Sequence, residues 1–180
     1  MKIISGKYKG RNLDGHNLDG TRPTMERVKE SLFAIIQNHL DNAIVLDLFS
    51  GSGNLGIEAL SEGASYAYLV DFNKKAAITI KNNLNNIGIN EAEVINLDYK
   101  KALNYLKDKR MDLIFLDPPY KTDYIEQSIK LIDEYNMLNE DGLIICENDS
   151  LDKIVYPENY EVVKDRKYGD KWVVILKKIC

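Results

Sequence analysis

The densest chemistry in the chain lies in Asp47-Leu48-Phe49-Ser50-Gly51-Ser52-Gly53-Asn54-Leu55-Gly56, where a carboxylate closes an apolar run and a glycine turn follows. Gly51 and Gly53 let the backbone turn sharply and let a ligand lie against it. Gly51, Gly53 and Gly56 meet the spacing G-x-G-x-x-G, and Asp71 stands twenty residues after Gly51, at the end of the next apolar run. That is the dinucleotide pattern, so a nicotinamide or flavin enzyme is one reading. Asp47 favours another. In dinucleotide folds the pyrophosphate sits on the helix N-terminus, where a carboxylate would repel it. A ligand that carries an ammonium and no phosphate, such as S-adenosylmethionine (SAM), suits Asp47 better. Asp71 accepts hydrogen bonds from ribose hydroxyls in either reading.

A second constellation is Asp117-Pro118-Pro119-Tyr120, directly after the apolar run Leu113–Leu116. Proline fixes φ and has no N–H, so carbonyls in such a turn are left to meet an outside donor. A carboxylate beside a carbonyl makes a site for an –NH₂ group, and an aromatic ring offers a face for a base to stack on. Asp117, Pro118, Pro119 and Tyr120 are therefore the expected catalytic set. A weaker pattern is Asp98-Tyr99, which follows another apolar run. Asp98 would accept from an adenine amino group or simply cap a helix. There is no G-x-S-x-G elbow and no phosphate-loop lysine motif, which leaves hydrolase and NTPase readings without support.

These residues need strands to end beside them. Short apolar runs at Ala43–Leu48, Tyr66–Val70, Glu93–Leu97, Leu113–Leu116 and Leu143–Glu147 suit strands buried on both faces. Helical spacing lies between them at Gly56–Glu62, Lys74–Asn86, Lys101–Lys107 and Tyr124–Glu134. Alternation of this kind implies crossover units and a parallel α/β sheet. Two further strands, Glu161–Lys164 and Lys171–Lys177, leave no room for a helix and are expected as an antiparallel hairpin near one edge.

The first forty residues differ. Residues 2–18 contain Gly6, Gly10 and Gly15 and read as a small hairpin, and a long helix over Met25–Asn38 follows with Thr24 as its cap. The expected division is a basic hairpin-and-helix appendage at 1–40 and the α/β body at 41–180. The net charge is −4, which argues against a wholly basic nucleic-acid clamp. The distribution is uneven: residues 1–11 hold Lys2, Lys7, Lys9 and Arg11 and no acid. Such a local patch on an acidic protein can still meet phosphate.

The 180 residues are enough to bury a core without staples. Cysteines and histidines at 16, 39, 146 and 180 make neither a disulfide framework nor a conventional zinc site. No apolar stretch is long enough for a membrane span, and no signal peptide is expected. A cytoplasmic protein that binds no metal is the expectation.

DLFSGSGNLGIEALSEGA followed by LDPPY resembles class I SAM-dependent methyltransferases that modify exocyclic amino groups. Ile3-Ile4-Ser5-Gly6-Lys7-Tyr8-Lys9-Gly10 and TRPTMERVKESLF narrow the likeness. They resemble the RsmD family, bacterial 16S rRNA guanine-N2 methyltransferases, over nearly the whole chain. Ser50 and Glu62 stand where Ala and a basic residue are expected in many relatives. The resemblance implies a Rossmann-like, seven-stranded methyltransferase sheet with SAM as cofactor. The implied SAM set is Arg22, Thr24, Asp47, Phe49, Gly51, Gly53, Asn54, Leu55, Asp71, Phe72, Asp98 and Tyr99. The implied RNA set is Lys7, Lys9, Arg11 and Arg22. Its substrate would be 16S rRNA within an assembling small ribosomal subunit, and a monomer is expected. A DNA adenine-N6 methyltransferase and a non-catalytic SAM-binding assembly protein remain as alternatives.

Overall fold

The computed structural model describes residues 1–15, 22–119, 122–148 and 154–179, with the backbone alone for 22–24. In chain order the elements are α1 (Arg22–Ile36), β1 (Ile44–Asp47), α2 (Asn54–Ser61), β2 (Tyr66–Val70), α3 (Lys74–Ile87), β3 (Ala92–Ile95), α4 (Tyr99–Tyr105), β4 (Met111–Leu116), α5 (Tyr124–Glu134), β5 (Leu138–Asn148), β6 (Tyr160–Tyr168) and β7 (Lys171–Lys178). The strands form one sheet in the order β3-β2-β1-β4-β5-β7-β6. The first five run parallel, while β7 is antiparallel to both β5 and β6. The expected terminal hairpin is thus present, with β6 at the edge and β7 inside. Along β6 the register shifts between Val162 and Lys164, and Glu161 to Lys167 are exposed.

Both faces are covered because the central strands are almost continuously apolar, so that each of their two alternating sets of side chains finds a layer of helices. Val45, Leu69, Leu113 and Phe115 face one layer together with residues of α1, α2 and α3. Leu46, Val70, Ile114 and Leu116 face the other layer with residues of α4 and α5. The Phe33 ring of α1 stacks on Phe115 at 5.8 Å. Residues 1–15 add Ile3 and Leu13 to the same layer, both nearly inaccessible. The apolar content of this segment is therefore built into the core rather than set beside it.

Some expected boundaries move. α1 already begins at Arg22, which places Thr24 in the first helical turn rather than at the cap. Pro23 suits that turn, where its missing N–H costs nothing. The expected hairpin at 2–18 is, over its described part, a single antiparallel bridge between Lys2 and Asn12. Backbone bonds from Ile3 N to Arg11 O, Gly10 N to Ile3 O and Leu13 N to Met1 O reinforce it. β3 covers Ala92–Ile95 and stops short of Leu97, because Asp98 caps α4 by accepting from Lys100 N and Lys101 N at 2.9 and 3.1 Å. β5 starts five residues earlier than Leu143, with Leu138 paired to Met111.

Candidate active site

From β1 the chain winds outward to β2 and β3, then crosses back to β4 on the other side of β1. In open α/β sheets such a switch point, at the carboxyl ends of the strands, is where ligands bind. The two constellations found in the sequence meet there. Asp47 ends β1, Asp117 follows the last residue of β4, and Leu48 N donates to Phe115 O at 3.2 Å between them.

The glycine turn is tied to both neighbouring strands. Gly51 (φ 57°) and Gly53 (φ 86°) occupy the left-handed region that favours glycine. Gly51 N donates to Asp71 Oδ2 at 2.9 Å, and Ser50 N donates to Val70 O at 2.8 Å. The second Asp71 oxygen accepts from Asn73 N at 2.9 Å. Asn96 donates to the carbonyls of Asp71 and Phe72, both at 3.0 Å, and fastens the end of β2 to β3. The Phe72 ring is 71% exposed beside this edge. Gly56 must lack a side chain because a Cβ there would run into Leu69 and crowd Asp47.

Asp47 is almost fully buried. Its Oδ2 accepts from Gly56 N at 3.1 Å, while Oδ1 has no hydrogen-bond partner among the described residues. Burial pushes its carboxyl up to about 7, against the pull of the Gly56 hydrogen bond; Glu147 and Asp71 push the same way. A buried carboxylate oxygen with no donor fits an ammonium, and a carboxylate at the end of β2 fits a ribose. The residues present therefore fit SAM.

On the β4 side, Asp117 Oδ2 lies 3.9 Å from Lys171 Nζ, which in turn contacts the buried Glu147 at 3.3 Å. Lys171 opens β7, so the β6–β7 turn lies beside Asp117. Thr122 Oγ1 donates to Pro119 O at 3.0 Å and braces the proline turn. Phe49, Tyr99 and Tyr124 form an aromatic cluster near the same edge. Phe49 stands 5.5 Å from Tyr99 and 6.1 Å from Tyr124, and the two tyrosines are 4.7 Å apart.

Of the expected SAM residues, Asp47, Phe49, Gly51, Gly53, Asn54, Leu55, Asp71, Phe72, Asp98 and Tyr99 all fall on this edge or on the first turns of α2 and α4. Tyr120 and the side chains of Arg22 and Thr24 lie outside the described residues. The expected RNA residues Lys7, Lys9 and Arg11 are placed elsewhere. Lys7 N donates to Ser61 O at the far end of α2, and the Arg11 guanidinium donates to Asn86 O near the far end of α3.

Sequence reasoning missed Lys29, Glu58, Asn83, Tyr124 and the Lys171–Glu147 pair. Lys29 is 2% exposed and ion-paired with Glu58 at 3.3 Å. The spacing held the clue, since Lys29 shares a helical face with Leu32 and Ile36, and Asn83 shares one with Ile80 and Ile87.

The family model described as Conserved hypothetical protein 95 matches residues 1–177. The chain belongs to this family. It is 43% identical to "Putative rRNA methyltransferase YlbH" of Bacillus subtilis, with 99% of each chain covered. It is 37% identical to "Ribosomal RNA small subunit methyltransferase D" of Haemophilus influenzae, over 94% of this chain and 89% of that one. The solved structure titled "Putative methyltransferase yhhF from Escherichia coli" superposes with a TM-score of 0.88 at 28% identity, covering 100% of this chain and 98% of that one. The family explains why the glycine turn and the proline turn share one sheet edge: the chain has the Rossmann-like fold of SAM-dependent methyltransferases.

Proposed function

We propose that this chain transfers a methyl group from SAM to the exocyclic N2 amine of a guanine in small-subunit (16S) rRNA. The observation that carries this is the meeting of Asp47 and Asp71 with Asp117-Pro118-Pro119 at the switch point of the sheet. SAM supplies an electrophilic methyl group. Asp47 receives its ammonium and Asp71 its ribose. Gly51 and Gly53 allow close approach, and Asn54 and Leu55 open the helix that backs the turn. Phe49, Phe72, Asp98 and Tyr99 border the adenine side, and Arg22 and Thr24 complete the set.

An exocyclic amine is a poor nucleophile because its lone pair is delocalised into the base. Asp117 and the Pro118 carbonyl accept its hydrogens and favour a more tetrahedral nitrogen, as acceptors arranged in advance do where positive charge develops. Pro119 stiffens the turn, and Tyr120 stacks on the base. Lys171, 3.9 Å from Asp117, orients its carboxyl group, and the amine proton leaves to solvent after transfer.

Lys7, Lys9, Arg11 and Arg22 supply a basic docking surface within residues 1–40, and residues 41–180 supply the chemistry. The protein works as a cytoplasmic monomer on an assembling small ribosomal subunit. Among the described residues no helix is long and apolar enough to cross a membrane. Incubation with methyl-labelled SAM and rRNA, small-subunit particles or DNA tests the proposal. Label recovered as N2-methylguanine from small-subunit RNA supports it. Label in DNA adenine, or binding without transfer, overturns it.

A further inference from the structure

Asn83 lies on α3 and is 2% exposed. Its carboxamide accepts from Asp14 N at 2.8 Å and donates to Asp14 O at 2.9 Å. It also donates to the carbonyl of Ser52, the residue between Gly51 and Gly53, at 2.9 Å. One side chain thus grips the N-terminal segment and the glycine turn together. Gly15 lies directly against the turn, since a Cβ there would come within 2.9 Å of the Ser52 Cβ.

The other flank has a matching arrangement. Lys29 Nζ donates to Asn54 Oδ1 at 2.7 Å and to Lys2 O at 2.8 Å. It pairs with Glu58, whose carboxylate accepts from Ile4 N at 2.8 Å. Ser52 and Asn54, the two neighbours of Gly53, are therefore each held by a buried polar side chain, and each of those side chains also binds backbone from residues 1–15.

A turn built on Gly51 and Gly53 has little to restrict it internally, because glycine samples more backbone conformations than any other residue. A buried ion pair is in general a poor source of net stability, but it fixes one arrangement when all its polar atoms are matched. We propose that Asn83 and Lys29 are positioning residues for SAM, which lock the glycine turn in its binding shape by anchoring it to the N-terminal segment. This rests on the reading that SAM occupies the turn.

The test is calorimetric binding of S-adenosylhomocysteine (SAH) to full-length Asn83→Ala and Lys29→Met, with melting temperatures measured in parallel. Ile129→Val, in the core layer on the opposite face, controls for general destabilisation, and Asp71→Ala reports on the reading itself. Both positioning variants are expected to bind SAH about tenfold or more weakly, because the unliganded turn is no longer organised in advance. Ile129→Val should bind like wild type, and Lys29→Arg should recover part of the loss by keeping a charged donor. In turnover the loss should fall on KM for SAM rather than on kcat. Should Lys29→Met fail to fold, Asn83→Ala decides the matter alone. Wild-type SAH affinity in folded Asn83→Ala, with affinity lost in Asp71→Ala, overturns the positioning role and leaves the SAM site standing. The same holds if Ile129→Val weakens binding equally. Wild-type affinity in all of these variants removes SAM from the turn and overturns both.

Discussion

Asp47 and Asp117 end parallel strands at one sheet edge and are chemically unlike, because their surroundings are. Asp47 is sealed in, and burial raises its carboxyl from 3.8 to about 7. Between those values the folded protein holds a proton that the unfolded chain has released. Its contribution to stability is therefore largest at the acid end of that window and is lost as pH rises towards 7. An ammonium ligand reverses the preference and favours the carboxylate. Binding of SAH near pH 6.5 should then release a proton, with a limit of about one. Calorimetry in buffers of different ionisation enthalpy would show it, and Asp47→Asn should abolish the buffer dependence. Asp117, half-buried and beside Lys171, is expected to act on the substrate rather than on SAM. Asp117→Ala should keep SAH affinity while methyl transfer falls roughly 10²–10³-fold, the scale of one preorganised polar contact. Single-turnover transfer together with SAH titration checks both halves.

Among the elements, the junction between the N-terminal segment and α2 is the tightest to disturb. Ser61 Oγ donates to Ser5 O at 2.6 Å and accepts from Tyr8 N at 3.0 Å, while Lys7 N reaches Ser61 O at 2.8 Å. Gly6 (φ 83°) lies so close to the Ser61 carbonyl that a Cβ would collide with backbone, whereas Gly10 (φ 86°) faces open space. Gly10→Ala should therefore cost only the left-handed strain, roughly 1–2 kcal/mol. Gly6→Ala should lower the melting temperature further and expose residues 1–15 to limited proteolysis. The sequence made some elements fully legible: Tyr66–Val70 and Tyr124–Glu134 have the expected bounds, because each is an apolar pattern with clear punctuation. The start of β5 was hidden, since Asn139-Glu140-Asp141-Gly142 reads as a turn and Asp141 does adopt φ 62°. Asp47, Asp71 and Asp117 could be read from type and position alone. Helical spacing puts Lys29 and Asn83 on buried faces, but their partners, the Glu58 and Asn54 side chains for Lys29 and backbone atoms of the N-terminal segment and the glycine turn, lie far away in sequence and could not be read from it.

At the scale of the whole molecule, the basic patch and the candidate chemistry lie at opposite ends of α2. An eight-residue helix spans about 12 Å, so a single nucleotide cannot touch both ends, while a folded RNA can. Changing Lys7, Lys9 and Arg11 together to Ala should accordingly weaken binding of ribosomal substrate and leave SAH affinity unchanged. The log–log salt dependence should become shallower by about 0.7–0.9 for each phosphate that is no longer neutralised. Filter binding across a salt series measures this. If the patch is inert, attention shifts to Arg166 and Lys167, which are exposed on β6 near the turn that meets Asp117.

The register shift in β6 has a consequence for life at high concentration. The outermost strand of any open sheet offers unpaired N–H and C=O groups on which a neighbouring chain can template itself into an aggregate. Here that strand is interrupted between Val162 and Lys164 and carries Lys164, Asp165, Arg166 and Lys167 in succession. A second copy sliding alongside would lose register at the interruption and would have to desolvate these exposed charged side chains. The opposite border, β3, is only four residues long. Newly made chains crowded together thus find no long, flat border on which to polymerise.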